Sequence, residues 1–177
     1  MNQFIFTPDQ SEAIEVKVPF IEDARADFAP YYDNRMDEKK AESQVAAELA
    51  KLGGYVVGFH KGKFRFDEGE RERHGYQIKF TCGGAPGVIR VAGLPIQYDE
   101  TERKVKMVRI QALLNVRDWL KSAVTMKVFA PGTSVLLPHL LLPDGETTIA
   151  DFIISHGQLP QLAPSNRQEI IVEETVS

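Results

Sequence analysis

Three short strand-like runs, the first two alternating apolar and polar side chains, constrain this chain more than any other feature. They are YVVGFHKGKFRF (55–66), GYQIKFTC (75–82) and VIRVAGLPI (88–96). The polar loop DEGERERH joins the first two, and the tight-turn sequence GGAPG leads into the third. Period-two alternation bounded by Gly, Pro and charged clusters reads as strands, and connections this short pair neighbours antiparallel.

A helical period stands on each side of these strands. Ala41, Val45, Leu49 and Leu52 recur at i, i+4, i+8 and i+11, with Asn34 or Asp37 placed to cap the start and Gly53-Gly54 to end it. After Asp99, which has capping-box spacing to Glu102, a second helix is predicted from about Thr101 to Val124, with Val105, Val108, Ala112, Leu113, Val116, Trp119 and Leu120 as its apolar positions. The expected fold class is therefore α+β: an αβββα core over residues 36–127, with both helices on one face of a three-stranded antiparallel sheet. At 177 residues with 43% hydrophobic side chains, the chain is long enough to bury such a core in one domain.

The flanks read differently. Residues 1–35 carry short apolar patches cut by Pro8, Pro19 and Pro30, which predicts an extended arm with one strand near Ala13 to Val18. Its aromatics Phe20, Phe28, Tyr31 and Tyr32 need something to pack on. Residues 128–177 read as a covering loop, a short helix capped by Thr147 or Thr148, and an acidic tail or added strand beyond Pro160. The longest apolar run, VLLPHLLLP (135–143), is broken by Pro138 and His139 and falls far short of the roughly 20 residues that span a bilayer. No membrane partner is expected. A single cysteine, Cys82, and an N-terminus without a signal-peptide pattern point to a reducing cytoplasm.

Charge is distributed unevenly. The net charge of −4 divides into −6 for residues 1–50, +7 for residues 51–127 and −5 for residues 128–177. A basic centre between acidic ends implies a polyanion partner, an electrostatic contact between ends and centre, or both. If Phe64 and Phe66 share a face with Tyr76, Ile78 and Phe80 towards the helices, alternation puts Lys61, Lys63, Arg65, Gln77 and Lys79 on the outer face, with Arg90 beside them. On the second helix Arg103, Lys106, Arg109, Arg117 and Lys121 fall within a sector of roughly 120°, largely away from the apolar positions. Solubility alone is served by mixed charges, so a single-sign stripe points to use.

The leading expectation is a non-catalytic, nucleic-acid-binding accessory protein that contacts DNA or RNA phosphates through Lys61, Lys63, Arg65, Lys79, Arg103, Lys106, Arg109, Arg117 and Lys121. The acidic ends would compete for the same surface. A basic sheet face nearly bare of aromatics favours phosphate contacts over base stacking. The αβββα order is similar to that of double-stranded-RNA-binding domains in topology, and TERKVK places basic residues at the start of the second helix, where such domains contact phosphates. The alternative is an adaptor or assembly subunit that docks on a protein partner, or on itself, through residues 1–35 and 135–143.

A metal-dependent nuclease is the third reading, because Asp67 with Gln77 and Lys79 loosely resembles the acid plus (E/Q)xK pattern, with Gln77 in place of a carboxylate. TCGGAPG lacks a GK[ST] sequence and a strand-to-helix context, so its glycines are assigned to a hairpin turn and Cys82 to packing. His60, His74, His139 and His156 are too scattered for a metal site, and no cofactor motif is present.

Overall fold

The computed structural model describes residues 18–26, 29–65, 71–132 and 134–156. The fold is α+β, with the two long helices on one face of an open antiparallel sheet of order β1-β2-β3. Helix α1 spans Glu38–Lys51, capped by the Asp37 carboxylate, which accepts from the Lys40 backbone N–H at 3.2 Å. It ends where Gly53 takes a φ of 83°. Strands β1 (Gly54–Phe64), β2 (Arg73–Cys82) and β3 (Ala85–Ala92) follow. Gly83 and Gly84, with φ of 57° and 81°, form the two-residue turn between β2 and β3, as the sequence requires.

Helix α2, Glu102–Phe129, is capped by Thr101 and runs one turn further than the apolar period predicts. It lies alongside α1 in the same direction, because Arg117 reaches Gln44 and the Lys127 ammonium reaches the Lys51 carbonyl near the ends of both. The short α3, Ile149–His156, starts from reciprocal Thr148 and Asp151 bonds, each 3.1 Å.

The core sits where alternate residues of the central strand meet both helices. Tyr76, Ile78 and Phe80 are fully buried with Ala41, Val45, Leu49, Ile89, Leu113 and Leu120. Each large apolar side chain removed from water contributes about 1.5–3 kcal/mol.

Strand β1 departs from the sequence reading. Lys61 pairs with Tyr76, Lys63 with His74 and Phe59 with Ile78, so the two lysines share the helix side of the sheet. Phe64 pairs with Arg73 on the opposite side. The reason is an irregularity between Val56 and Gly58: one extra residue there reverses which side chains point inward for the rest of the strand.

Part of the N-terminal segment packs on the core instead of extending from it. Ile21, Ala24 and Ala29 join Ile96 and Val108 in a second apolar cluster, and the Ile21 N–H donates to the Pro95 carbonyl at 2.9 Å. Tyr32 packs against this cluster and Tyr31 against the main core, and Phe20 is half-buried with the Arg71 guanidinium 5.5 Å from the centre of its ring. Residues 13–17 of the strand expected near Ala13 to Val18, the Phe28 and Phe66 side chains and the tail beyond His156 lie outside the described residues. The leucine-rich segment is a cover: Leu136 is buried in the main core, while Leu140 and Leu141 bridge to the Pro86–Gly87 end of β3 and to Thr148. Among the described residues, no helix is long and apolar enough to cross a membrane.

Two features make this packing testable. A Cβ on Gly93 would lie 2.1 Å from the Val108 carbonyl oxygen, whereas one on Gly62 would meet nothing within 4 Å. Gly93→Ala is expected to lose more than about 2 kcal/mol of stability in chemical unfolding, and Gly62→Ala less than about 1 kcal/mol. Glu22 is the second. Burial opposes its ionisation, but the Lys104 ammonium at 2.8 Å and the N–H groups of Gln97 and Tyr98 outweigh that and hold its carboxyl at about 2, against an ordinary 4.5. A depressed carboxylate stabilises above its ordinary value and loses that contribution as pH falls through the folded one. Wild type should exceed Glu22→Gln by on the order of 1–2 kcal/mol near neutrality, and the gap should close between pH 4.5 and about 2 in urea titrations. A gap independent of pH would contradict this assignment.

Candidate functional site

The reversal in β1 brings Lys61 and Lys63 to the helix side of the sheet, where acids from neighbouring elements meet them. The Lys61 ammonium lies 2.7 Å from Glu38 at the start of α1, and the Tyr76 hydroxyl donates to the same carboxylate. Burial opposes ionisation of Glu38, but Lys61, Tyr76 and the nearby Arg109 guanidinium together hold its carboxyl below the usual range. Burial, followed by the Glu38 carboxylate, pushes the Tyr76 hydroxyl well up. Lys63 sits 3.2 Å from Glu100, whose other partner is the buried His74 at 2.9 Å. His74 and Lys63 hold the Glu100 carboxyl below its ordinary value. These cations are occupied in joining β1 to α1 and to the segment that leads into α2.

Arg103 and Lys106 are placed differently. They face residues 33–36 across a cleft of about 290 Å³, with Arg35 on the opposite wall and Met107 and Ile110 at its base. The Asn34 amide fixes that wall by donating to the Tyr31 and Met107 carbonyls at 2.8 and 3.1 Å. Arg35, Arg103 and Lys106 are exposed, and none forms a salt bridge with a described residue. Among the described residues, Asp33 is the carboxylate in the lining. Two guanidinium groups and an ammonium around one recess suit an anion with several oxygen acceptors.

The remaining sites are scattered. Arg65 lies 3.8 Å from Glu72, Lys79 stands exposed on the outer face of the sheet, and Lys121 is exposed further along α2. Arg117 is built into the fold: it donates to Gln44 at 2.8 Å and to the Tyr31 hydroxyl at 2.7 Å, and it pairs with Asp118 at 2.6 Å. The Tyr31 hydroxyl in turn donates to Asp118, which, together with burial, raises its pKa. Tyr31 is also the non-glycine residue held at positive φ, 63°, among the described residues, so this network offsets a backbone cost of order 1–3 kcal/mol. Arg35 was not legible in the sequence, because a lone arginine between Asn34 and Met36 has no periodic context.

Asp67, the acid of the nuclease pattern, lies outside the described residues. Gln77 and Lys79 share the outer face. No group of three or more His, Cys, Asp or Glu side chains that could hold a metal ion occurs among the described residues. Comparison with protein-family models, curated proteins and solved structures finds no match to the chain.

The two kinds of arginine and lysine separate by stability. Arg117→Ala should lower thermal stability by the equivalent of about 1–3 kcal/mol, because it removes the donor to Gln44 and Tyr31 and the cation beside Asp118, while Lys106→Ala should stay within about 0.5 kcal/mol of wild type. Equal melting temperatures for the two variants would contradict the division.

Proposed function

We propose that the protein is a non-catalytic nucleic-acid-binding accessory factor that grips phosphates at the start of α2. What supports this reading best is the cleft whose three exposed cations, Arg35, Arg103 and Lys106, have no salt-bridge partner among the described residues. Lys121, further along the same helix, extends the positive surface. The interface is thus centred on α2 and the 33–36 segment, with Lys61, Lys63 and Arg117 as internal supports and Lys79 on another face. Contacts of this kind carry affinity and salt dependence but little sequence information. The chemistry offered is recognition of backbone charge on DNA or RNA.

A second reading is favoured by one observation. Met126, Val128 and Phe129, at the end of α2, are 48%, 77% and 75% exposed, an apolar group suited to a protein contact. An assembly subunit would use that end of the helix.

Fluorescence anisotropy with labelled single- and double-stranded DNA and RNA separates the two readings. The phosphate-binding reading expects an affinity that falls steeply between about 50 and 200 mM salt and drops at least about tenfold in Arg103→Glu/Lys106→Glu, with Arg117 left in place. No binding at the lower salt concentration, or an unchanged affinity in that variant, would overturn it. A dimer in sedimentation that dissociates on Val128→Ser/Phe129→Ser, without nucleic-acid binding, would establish the second reading in its place.

A further inference from the structure

The outer face of the sheet carries a groove separate from the α2 cleft. Its volume is about 720 Å³, within the range of small-molecule sites. Gln77, Lys79 and Thr81 form its floor, three alternate residues of β2 that therefore point to the same side. Val57, 69% exposed at the β1 irregularity, stands at one wall. Leu141 and the turn at Gly145–Glu146 form the opposite lip.

That lip is braced by hydrogen bonds within the protein. Arg90 donates to Asp151 at 2.6 Å and to the Glu146 carbonyl at 2.9 Å, tying β3 to the turn and to α3. The Asp144 carboxylate accepts from the N–H groups of Glu146 and Thr147 at 3.0 and 2.9 Å, which fixes the turn itself. The Leu141 N–H donates to the Pro86 carbonyl at 2.9 Å. A preformed site lowers the ordering cost of binding.

The floor, by contrast, has unused capacity. The Gln77 amide, the Lys79 ammonium and the Thr81 hydroxyl make no hydrogen bond or salt bridge with any described residue. Charge decides what they suit. Arg90 is neutralised by Asp151, so Lys79 is the uncompensated cation of the groove, and Glu146 at the lip disfavours a dianion. One negative charge fits this balance and two do not.

We propose that the groove binds a small amphipathic monocarboxylic acid. The carboxylate pairs with Lys79 and accepts from Gln77 or Thr81, and the apolar body lies between Val57 and Leu141. This site is independent of nucleic-acid binding, since it shares no residue with the α2 cleft.

Octanoate titrated into ¹⁵N-labelled full-length protein tests the proposal. Saturable amide shifts are expected at Val57, Gln77, Lys79, Thr81 and Leu141. The apparent Kd should rise about tenfold in Lys79→Met, the value of one charge-assisted contact. Octanamide should bind correspondingly weakly. Lys79 and Val57 are exposed, so unchanged resonances outside the groove will show that Lys79→Met and a second variant, Val57→Glu, remain folded; the second should also weaken binding. Shifts centred on the α2 cleft, no saturable shifts, equal affinity for octanamide, or tighter binding of octyl phosphate would each overturn the assignment.

Discussion

Everything else in this structure depends on the complete removal of Tyr76, Ile78 and Phe80 from water. These alternate residues of the central strand are 0–1% exposed, pressed beneath α1 and α2. A one-residue slip of β2 would exchange them for Gln77 and Lys79 and bury a charge, so the register of the sheet has one stable solution. Both helices must then lie on the Tyr76 side, and the other face is left to Gln77, Lys79, Thr81 and Arg90. The close approach of Gly93 to Val108 follows from the same packing, because β3 hands the chain to α2 directly above the sheet. The two proposed binding regions lie where that constraint leaves polar side chains unpaired.

The αβββα order, the cap at Asp37, the glycine turn at 83–84 and the inward set of β2 were legible because each is written in local spacing. The end of α2 was not, since Val128 and Phe129 continue the helix without contributing to its buried stripe. The face of Lys61 and Lys63 was misread for a specific reason. Alternation counts residues, and the irregularity beside Val57 adds one that no composition rule announces; the glycines at 58 and 62 marked the strand as unusual without saying which way it would turn. The packing of Ile21 and Ala24 on Ile96 was hidden as well, because a proline-cut segment shows no period even when it is buried.

A basic stripe on a helical wheel is therefore a weaker statement than it looks. Of the five cations on α2 that share a sector, Arg117 reaches back to Tyr31 and Gln44, and Arg109 lies half-buried near Glu38. The Arg117 guanidinium ties the N-terminal segment to α1, and the Arg109 charge favours ionised Glu38. Arg103, Lys106 and Lys121 remain exposed. The wheel records direction from one axis, whereas the use of a cation depends on the acids and hydroxyls that neighbouring elements bring to it. Lys61 and Lys63 make the same point from the sheet, each neutralised by a carboxylate distant in sequence.

The α2 cleft and the outer groove are served by different supports. The cleft wall at residues 33–36 is held by Asn34 on Met107 and continues into the Tyr31 network, all on the helix side. The groove lip is held by Arg90, Asp144 and the Leu141 bridge, and it continues through Leu136 into the core near Leu49 and Gly54. Between them lies a sheet packed to the limit on one side, with a glycine at 87 where a Cβ would fall 2.4 Å from the Phe80 ring. Coupling between two sites needs an element with two arrangements that both ligands bias, and a strand packed as closely on its helix side as Gly87 is on Phe80 is poorly suited to supply one. Occupancy of the groove should therefore leave the electrostatics of α2 unchanged, so a carboxylate ligand would act on whatever docks against the outer face and not on the phosphate contacts proposed at the start of α2.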